Sequence, residues 1–294
     1  MAKGEKKSAG GAGASESGAA QREGGSGRIR PGSLLEGKSD IPFQLPKVTA
    51  KEKARALELL AMLRESYPDA HCELDYKSPH ELLVATILSA QTTDVGVNKA
   101  TPALFKKFPT PADYARATPA EIEPYVKTLG LFRNKAKSVH LAMKAVHEKH
   151  GDQVPRTMDE LLALQGVARK TANVVLGNAF GINVGFVVDT HIERLSKRLG
   201  LVPQEASVQQ LERRLMALFP REQWCDLSHM LIWHGRRACK ARHAVCPSHP
   251  ICAAFGSCCE LRISAKKKTG AAKPPAKAVA KAAESPKQKR KPRE

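Results

Sequence analysis

No stretch of this chain approaches the ~18 consecutive apolar residues that a membrane-crossing helix needs, which excludes a helical membrane protein. Aromatic residues are scarce, at 5%, and argue against an all-β architecture built on Tyr, Phe and Trp. An apolar signal segment is missing from the N-terminal region, so a secreted disulfide scaffold is not expected. Cysteine is rare over most of the length: Cys72 and Cys225 stand alone, while five of the seven crowd between Cys239 and Cys259. Such crowding suits a metal site in a reducing compartment. Negative charge is short as well, with 29 Asp and Glu against 48 Lys and Arg, a net +19 over 294 residues.

That charge is unevenly spread. Residues 1–48, rich in Gly, Ala and Ser, carry +3 and hold too few apolar side chains to offset the entropy of ordering, so disorder is expected. Glu5, Glu16 and Glu23 fit a mitochondrial presequence poorly. A second tail, 263–294, is read as flexible and basic: from 266 onward eleven Lys and Arg face only Glu284 and Glu294, a net +9. A run of this kind either solubilises the chain or attracts nucleic acid, and the second reading is preferred. The middle keeps +7, so the globular part is itself basic.

Within the middle, helix signals dominate. Ser78-Pro79-His80-Glu81 reads as a capping box opening the run Leu82 to Ala90, which is apolar nearly all round and so central and buried. A polar break, Ser89 to Asp94, precedes a helix through Leu104 and Phe108. Further helices are expected over Pro119–Val126 and Asn134–His150, and a short one from the Thr157…Glu160 box to Leu164. After Gly166-Val167-Ala168, a tight turn, Ala172, Val175, Leu176 and Ala179 mark a helix over Arg169–Ala179. Val184–Val188 is the only strand-like stretch and has no partner to pair with. Thr190 to Glu193 opens another helix, capped by Asp189 or Thr190, that stops at Gly200. The fold class is all-α.

Chemistry concentrates at Leu164 to Ala172. Two helices joined by a Gly-containing turn present backbone N–H groups that can hold a phosphate without any side-chain charge. Most such joints only pack. Here, however, Arg169 and Lys170 sit in the first helical turn, against the positive end of the helix dipole, which suggests a task other than stability. The same field disfavours an ammonium, as suits a nucleophilic amine.

The run Leu164 to Leu176 resembles the helix-hairpin-helix of the endonuclease III family of DNA glycosylases. Val187-Val188-Asp189-Thr190-His191 is similar to the segment that carries that family's catalytic aspartate, and the Cys-rich stretch after His234-Gly235-Arg236 resembles its iron–sulfur loop. Leu88 to Asp94 and Gly130-Leu131-Phe132 look like its DNA-probing loops. The resemblance covers about 50–262, with the blocks in the family's order.

It implies two helical domains: 72–183 with six helices and the hairpin, and 49–71 together with 184–262 around a 4Fe–4S cluster. It implies a bifunctional glycosylase that acts on double-stranded DNA containing damaged bases, oxidised pyrimidines above all, or abasic sites. Lys170 would attack C1′ of a flipped nucleotide and cleave the strand through a Schiff base; Asp189 would stabilise the developing positive charge and manage protons. Gln91 and Leu131 would fill the gap left by the flipped base, and Gly166, Ala168 and Arg169 would meet the backbone. A monomer is expected, cytoplasmic and nucleoid-associated if bacterial, with a nuclear location as the alternative.

The chain departs from the family's pattern in two places. Ala168 replaces the second Gly of the hairpin and Gln165 a Pro; Ala168 keeps its N–H, so a phosphate site survives if φ there is negative. The family's C-x6-C-x2-C-x5-C loop becomes Cys239-x6-Cys246-x5-Cys252, followed by Cys258 or Cys259 as fourth ligand, as if three residues were inserted near Pro247–Pro250. His249 stands where a cysteine is expected, which leaves a His-ligated or remodelled cluster open. A zinc site is disfavoured, since zinc modules bring C-x2-C pairs. Two rival functions remain: an adenine-mismatch glycosylase, which lacks the lysine and adds a C-terminal recognition domain, and a non-catalytic hairpin module that would leave Lys170 with Asp189 unexplained.

Overall fold

The computed structural model describes residues 41–242 and 249–256. The two tails outside 41–256, and with them Cys246, Cys258 and Cys259, lie outside the described residues. Twelve α-helices and a short 3-10 turn at Arg221–Gln223 make up the described chain: α1 Ala50–Ser66, α2 Pro79–Leu88, α3 Asp94–Lys107, α4 Pro111–Arg116, α5 Pro119–Val126, α6 Phe132–His150, α7 Met158–Leu162, α8 Arg169–Phe180, α9 Thr190–Arg198, α10 Val208–Leu218, α11 Trp224–Arg237 and α12 Pro250–Phe255. There is no strand among the described residues, and the stretch around Val184–Val188 is irregular. No helix there is long and apolar enough to cross a membrane.

Local chemistry explains where the helices start. Thr49 and Glu52 close a full capping box on α1. At α2 only half of the expected box forms: Ser78 Oγ accepts from Glu81 N at 3.3 Å, but the Glu81 carboxylate takes the N–H of Lys77 instead of Ser78. Helix α6 begins two residues before the expected Asn134, because Leu131 turns left-handed at φ 59° and launches the helix at Phe132. Asp189, not Thr190, caps α9: its Oδ1 accepts from Ile192 N at 2.8 Å.

Two hydrophobic cores result. One gathers Leu82 to Leu88 of α2 with apolar side chains of α3 to α8, among them Leu104, Tyr114, Val139, Met143 and Leu176. Every residue of α2 from Leu82 to Leu88 is buried, so this helix is the central post. At ~1.5–3 kcal/mol for each large apolar side chain taken out of water, that row alone outweighs the weak propensity of Thr and Val. The second core joins α1, through Leu59 and Leu63, to α9, α10, α11 and α12. Helix α8 belongs to the first core but also packs against α11 of the second.

Candidate active site and metal centre

Helix α8 is the pivot. The turn before it tucks Leu164 and Val167 into the first core and leaves Gly166 exposed at φ +78°. A Cβ at Gly166 would lie 2.9 Å from Ser138 Cβ, so both the backbone conformation and the space demand glycine. Ala168 is extended, at φ −95° and ψ 169°, and alanine costs the turn nothing there. No side chain caps α8, so its first N–H groups and the positive end of its dipole face outward beside the exposed turn.

Arg169, expected to meet the DNA backbone, is engaged within the protein through one edge of its guanidinium. Its Nε bonds both oxygens of Glu212, on α10, at 3.0 and 2.9 Å, and its guanidinium lies over Phe43 at 5.2 Å. Asn173 Nδ2 reaches Glu212 Oε1 at 3.3 Å and the carbonyl of Phe186 at 3.4 Å. A Cβ at Gly185 would lie 2.5 Å from Glu212 Oε1, so glycine admits the carboxylate there. The cation in the first turn of α8 is thus compensated by a nearly buried carboxylate from the second core, and the helix start is pinned.

Lys170, next in sequence, points to the opposite duty. It is exposed and lines a cleft of about 790 Å³ with Asp189, Asp94, His191, Gln91 and Arg236. Lys170 and Asp189 also form part of the wall of a smaller cavity of about 90 Å³ that runs inward to Cys72, Cys225 and His229. Asp94, at the first turn of α3, is the carboxylate that sequence reasoning quoted in a motif without giving it a task. Burial raises its pKa, with the Lys170 ammonium opposing and the Asp189 carboxylate adding to the rise. Arg236 Nη2 donates to Asp94 Oδ2 at 2.7 Å, and Nη1 contacts Glu73. Arg236 therefore forms part of the cleft wall through these two carboxylates. Deeper in, burial lifts the Cys225 thiol to about 12 and holds His229 down at about 4; His229 Nε2 lies 2.7 Å from Asn178 Oδ1.

Gln91 and Leu131 share an unusual backbone. Of the described non-glycine residues only these two and Asp152 have positive φ, 55° for Gln91 and 59° for Leu131. Both side chains are exposed, Leu131 by 60%. The two left-handed turns thus present one polar and one apolar side chain to solvent. The two loops are tied by Lys135, buried at 5% exposure: its Nζ donates to Thr92 Oγ1, and its N–H bonds Leu131 O at 3.0 Å. No sequence signal distinguished that lysine from the other basic residues of α6.

At the far end of the second core two of the proposed metal ligands are described. Cys239 follows α11 and Cys252 lies on α12, both buried. Arg198 Nη1 donates to Cys239 Sγ at 3.4 Å, and Arg194 Nη2 to the carbonyls of Gly235 and Cys239 at 3.1 and 2.9 Å. His234 Nε2 lies 3.3 Å from Cys252 Sγ, and Tyr67 Oη is 2.9 Å from His234 Nδ1 and 3.4 Å from His249 Nε2. Burial, with the Cys252 thiol next in weight, pushes the Tyr67 hydroxyl to about 12.

The chain is similar to known proteins in both sequence and fold. Residues 84–221 match the model of the HhH-GPD superfamily base excision DNA repair protein. The chain is 50% identical over 197 residues to endonuclease III of Synechocystis sp., an alignment covering 67% of this chain and 90% of that protein. A solved non-covalent endonuclease III–DNA complex superposes with a TM-score of 0.68 at 42% identity, over 72% of this chain and 98% of the other. A trapped endonuclease III–DNA covalent intermediate also gives 0.68, at 43% identity and the same coverage.

Proposed function

The chain belongs to the endonuclease III family of base excision DNA repair proteins, and from that premise we propose how its own residues carry the work. It is a bifunctional DNA glycosylase and abasic-site lyase whose substrate is duplex DNA carrying a damaged base, an oxidised pyrimidine by preference, or an abasic site. The observation that carries the residue assignment is the cleft in which Lys170, on the uncapped first turn of α8, shares walls with Asp189 at the cap of α9.

The sugar carbon is out of reach in a stacked duplex, so the nucleotide must first be flipped out. Gln91 and Leu131, held in readiness by their left-handed backbone, enter the space it leaves. The turn at Gly166 to Ala168 and the exposed N–H groups of α8 hold a backbone phosphate beside the cleft. The Lys170 amine then attacks C1′; the bond from C1′ to the base breaks and its electron pair leaves with the base, which takes up a proton. Loss of one amine proton lets the nitrogen's electron pair form the C1′=N bond as the C1′–O4′ bond breaks. The pair of that bond goes to O4′, which takes up a proton, and the opened sugar is held as a protonated Schiff base. Removal of a C2′ proton expels the 3′ phosphate oxygen, and water releases the lysine. Asp189 supplies negative charge beside the cationic sugar. Arg169, fixed to Glu212, holds the helix start that carries Lys170. The two cores are read as two domains that meet at this cleft.

A family of this kind carries a 4Fe–4S cluster, and the described residues fit one: two buried cysteine sulfurs share one end of the second core, with guanidinium groups beside them and a buried imidazole nitrogen, His249 Nδ1, without a hydrogen-bond partner among the described residues. Cys239 and Cys252 would hold the group together with thiolates from outside the described residues. When bound it supplies positive charge that compensates the thiolates and fixes the loop. It has no part in bond cleavage.

Borohydride reduction in the presence of an abasic duplex tests the reading. Wild-type protein is expected to form a covalent adduct. Lys170→Ala is expected to form none and to cleave no strand while still binding the duplex. Adduct formation by the variant at the wild-type level would remove Lys170 from the role.

A further inference from the structure

We propose that His249 is itself a ligand of the metal centre, its Nδ1 filling a place that a thiolate would otherwise take beside Cys239 and Cys252. This rests on the iron–sulfur reading above and adds to it the identity of one donor.

The argument follows hydrogens through a short chain of polar groups. A cysteine that binds metal does so as the thiolate, so Cys252 Sγ can only accept. Its neighbour at 3.3 Å, His234 Nε2, must then donate. A neutral imidazole has one N–H, which leaves His234 Nδ1 as an acceptor. The hydroxyl of Tyr67, 2.9 Å away, donates to it. The Tyr67 oxygen in turn accepts from His249 Nε2 at 3.4 Å. Every donor in the chain now has its acceptor, and the leftover atom is His249 Nδ1, buried, with its lone pair and no hydrogen-bond partner among the described residues. A buried acceptor left in that state is destabilising unless something binds it.

What could bind it is decided by its company. His234, His249 and Cys252 each place a potential ligand atom so that all lie within 4.8 Å of one another. Both nitrogens of His234 are already engaged, so that residue orients the thiolate, while His249 alone has an electron pair to give. Helix capping does not occupy it: His249 is the N-cap of α12 but its side chain makes no cap bond, and Pro250 follows with no N–H to offer. Stacking parallel to Tyr67, with 5° between the ring planes, holds the imidazole in one orientation. A neutral nitrogen in place of a thiolate also removes one negative charge, and such clusters are easier to reduce.

The full chain, purified without oxygen, is expected to hold about four iron and four sulfide. Pulsed EPR on its paramagnetic state is expected to show strong coupling to one nitrogen. His249→Cys should keep iron and sulfide, lose the nitrogen coupling and shift the reduction potential downward; His249→Ala should lose metal or the coupling. If His249→Ala does not fold, the cysteine variant decides alone. Full iron and sulfide without strong nitrogen coupling, or a His249→Cys protein with unchanged spectrum and potential, would overturn the assignment of His249 and leave the cluster standing. One zinc and no sulfide would overturn the cluster, and this inference with it.

Discussion

At the turn between α7 and α8 the backbone and the first cation are settled by neighbours in the fold. Gly166 supplies the positive φ, Leu164 and Val167 anchor the backbone, and Glu212 compensates Arg169 from the other core. Where α11 gives way to α12 the arrangement is the reverse. Buried sulfurs, two imidazoles and a phenol are gathered beside two arginines, and the buried His249 Nδ1 has no hydrogen-bond partner among the described residues. The hairpin is held by backbone geometry, by packing in the first core and by Glu212, all within the fold. On the iron–sulfur reading the cysteine end relies on an added group, because its side chains offer donor atoms rather than apolar surface.

Removing the metal would break or confirm that contrast, and it carries the largest expected effect. Structural metal sites contribute on the order of 10 kcal/mol to their folds. After the centre is stripped by oxidation and chelation, hydrogen exchange is expected to accelerate through α9, α11 and α12. The amides of α2 and α8 should keep most of their protection, since Leu82 to Leu88 are buried in the other core. A uniform loss across both cores would mean that the hairpin depends on the metal too, and the contrast would be gone.

The catalytic side of the hairpin is sharpened by Asp189→Asn. Asparagine caps helices about as well as aspartate, so the bond from Ile192 N should survive and the melting temperature should scarcely move. Turnover on an abasic duplex should nevertheless fall by roughly two to four powers of ten, if the carboxylate acts on the charged sugar. Rates near wild type would reduce Asp189 to a cap.

The parts that sequence revealed were those whose cause lies within a few residues. The apolar run Leu82 to Leu88 announces a buried helix, and Lys170 stands out because a cation at a helix start is locally unfavourable. Asp189 could be placed beside a helix start, although choosing it over Thr190 needed the bond to Ile192. Long-range partners were hidden. Nothing near Arg169 in the chain announces its partner Glu212, 43 residues on, and Arg236 turns inward to Asp94 across 142 residues. The left-handed backbone of Gln91 and Leu131 was hidden too, since neither residue type advertises positive φ. Lys135 shows the same limit: only the fold reveals that it joins both loops.

The smallest effect, and the finest test of the hairpin's self-sufficiency, comes from exchanging its two small residues separately. Gly166→Ala places a Cβ at φ +78°, which costs roughly 1–2 kcal/mol for the left-handed backbone, and sets it 2.9 Å from Ser138 Cβ, which adds about 1–3 kcal/mol if neighbours must move. Ala168→Gly should cost only about 0.4–1 kcal/mol, because Ala168 is extended and glycine merely loosens the unfolded chain. Both effects are read from urea unfolding. Affinity for a duplex with an abasic analogue separates them further. Displacing the turn in Gly166→Ala should weaken binding, whereas Ala168→Gly keeps the same N–H in place and should leave it unchanged. If Ala168→Gly binds more tightly, the alanine methyl stands in the way of a phosphate, and the turn is a compromise rather than a complete site.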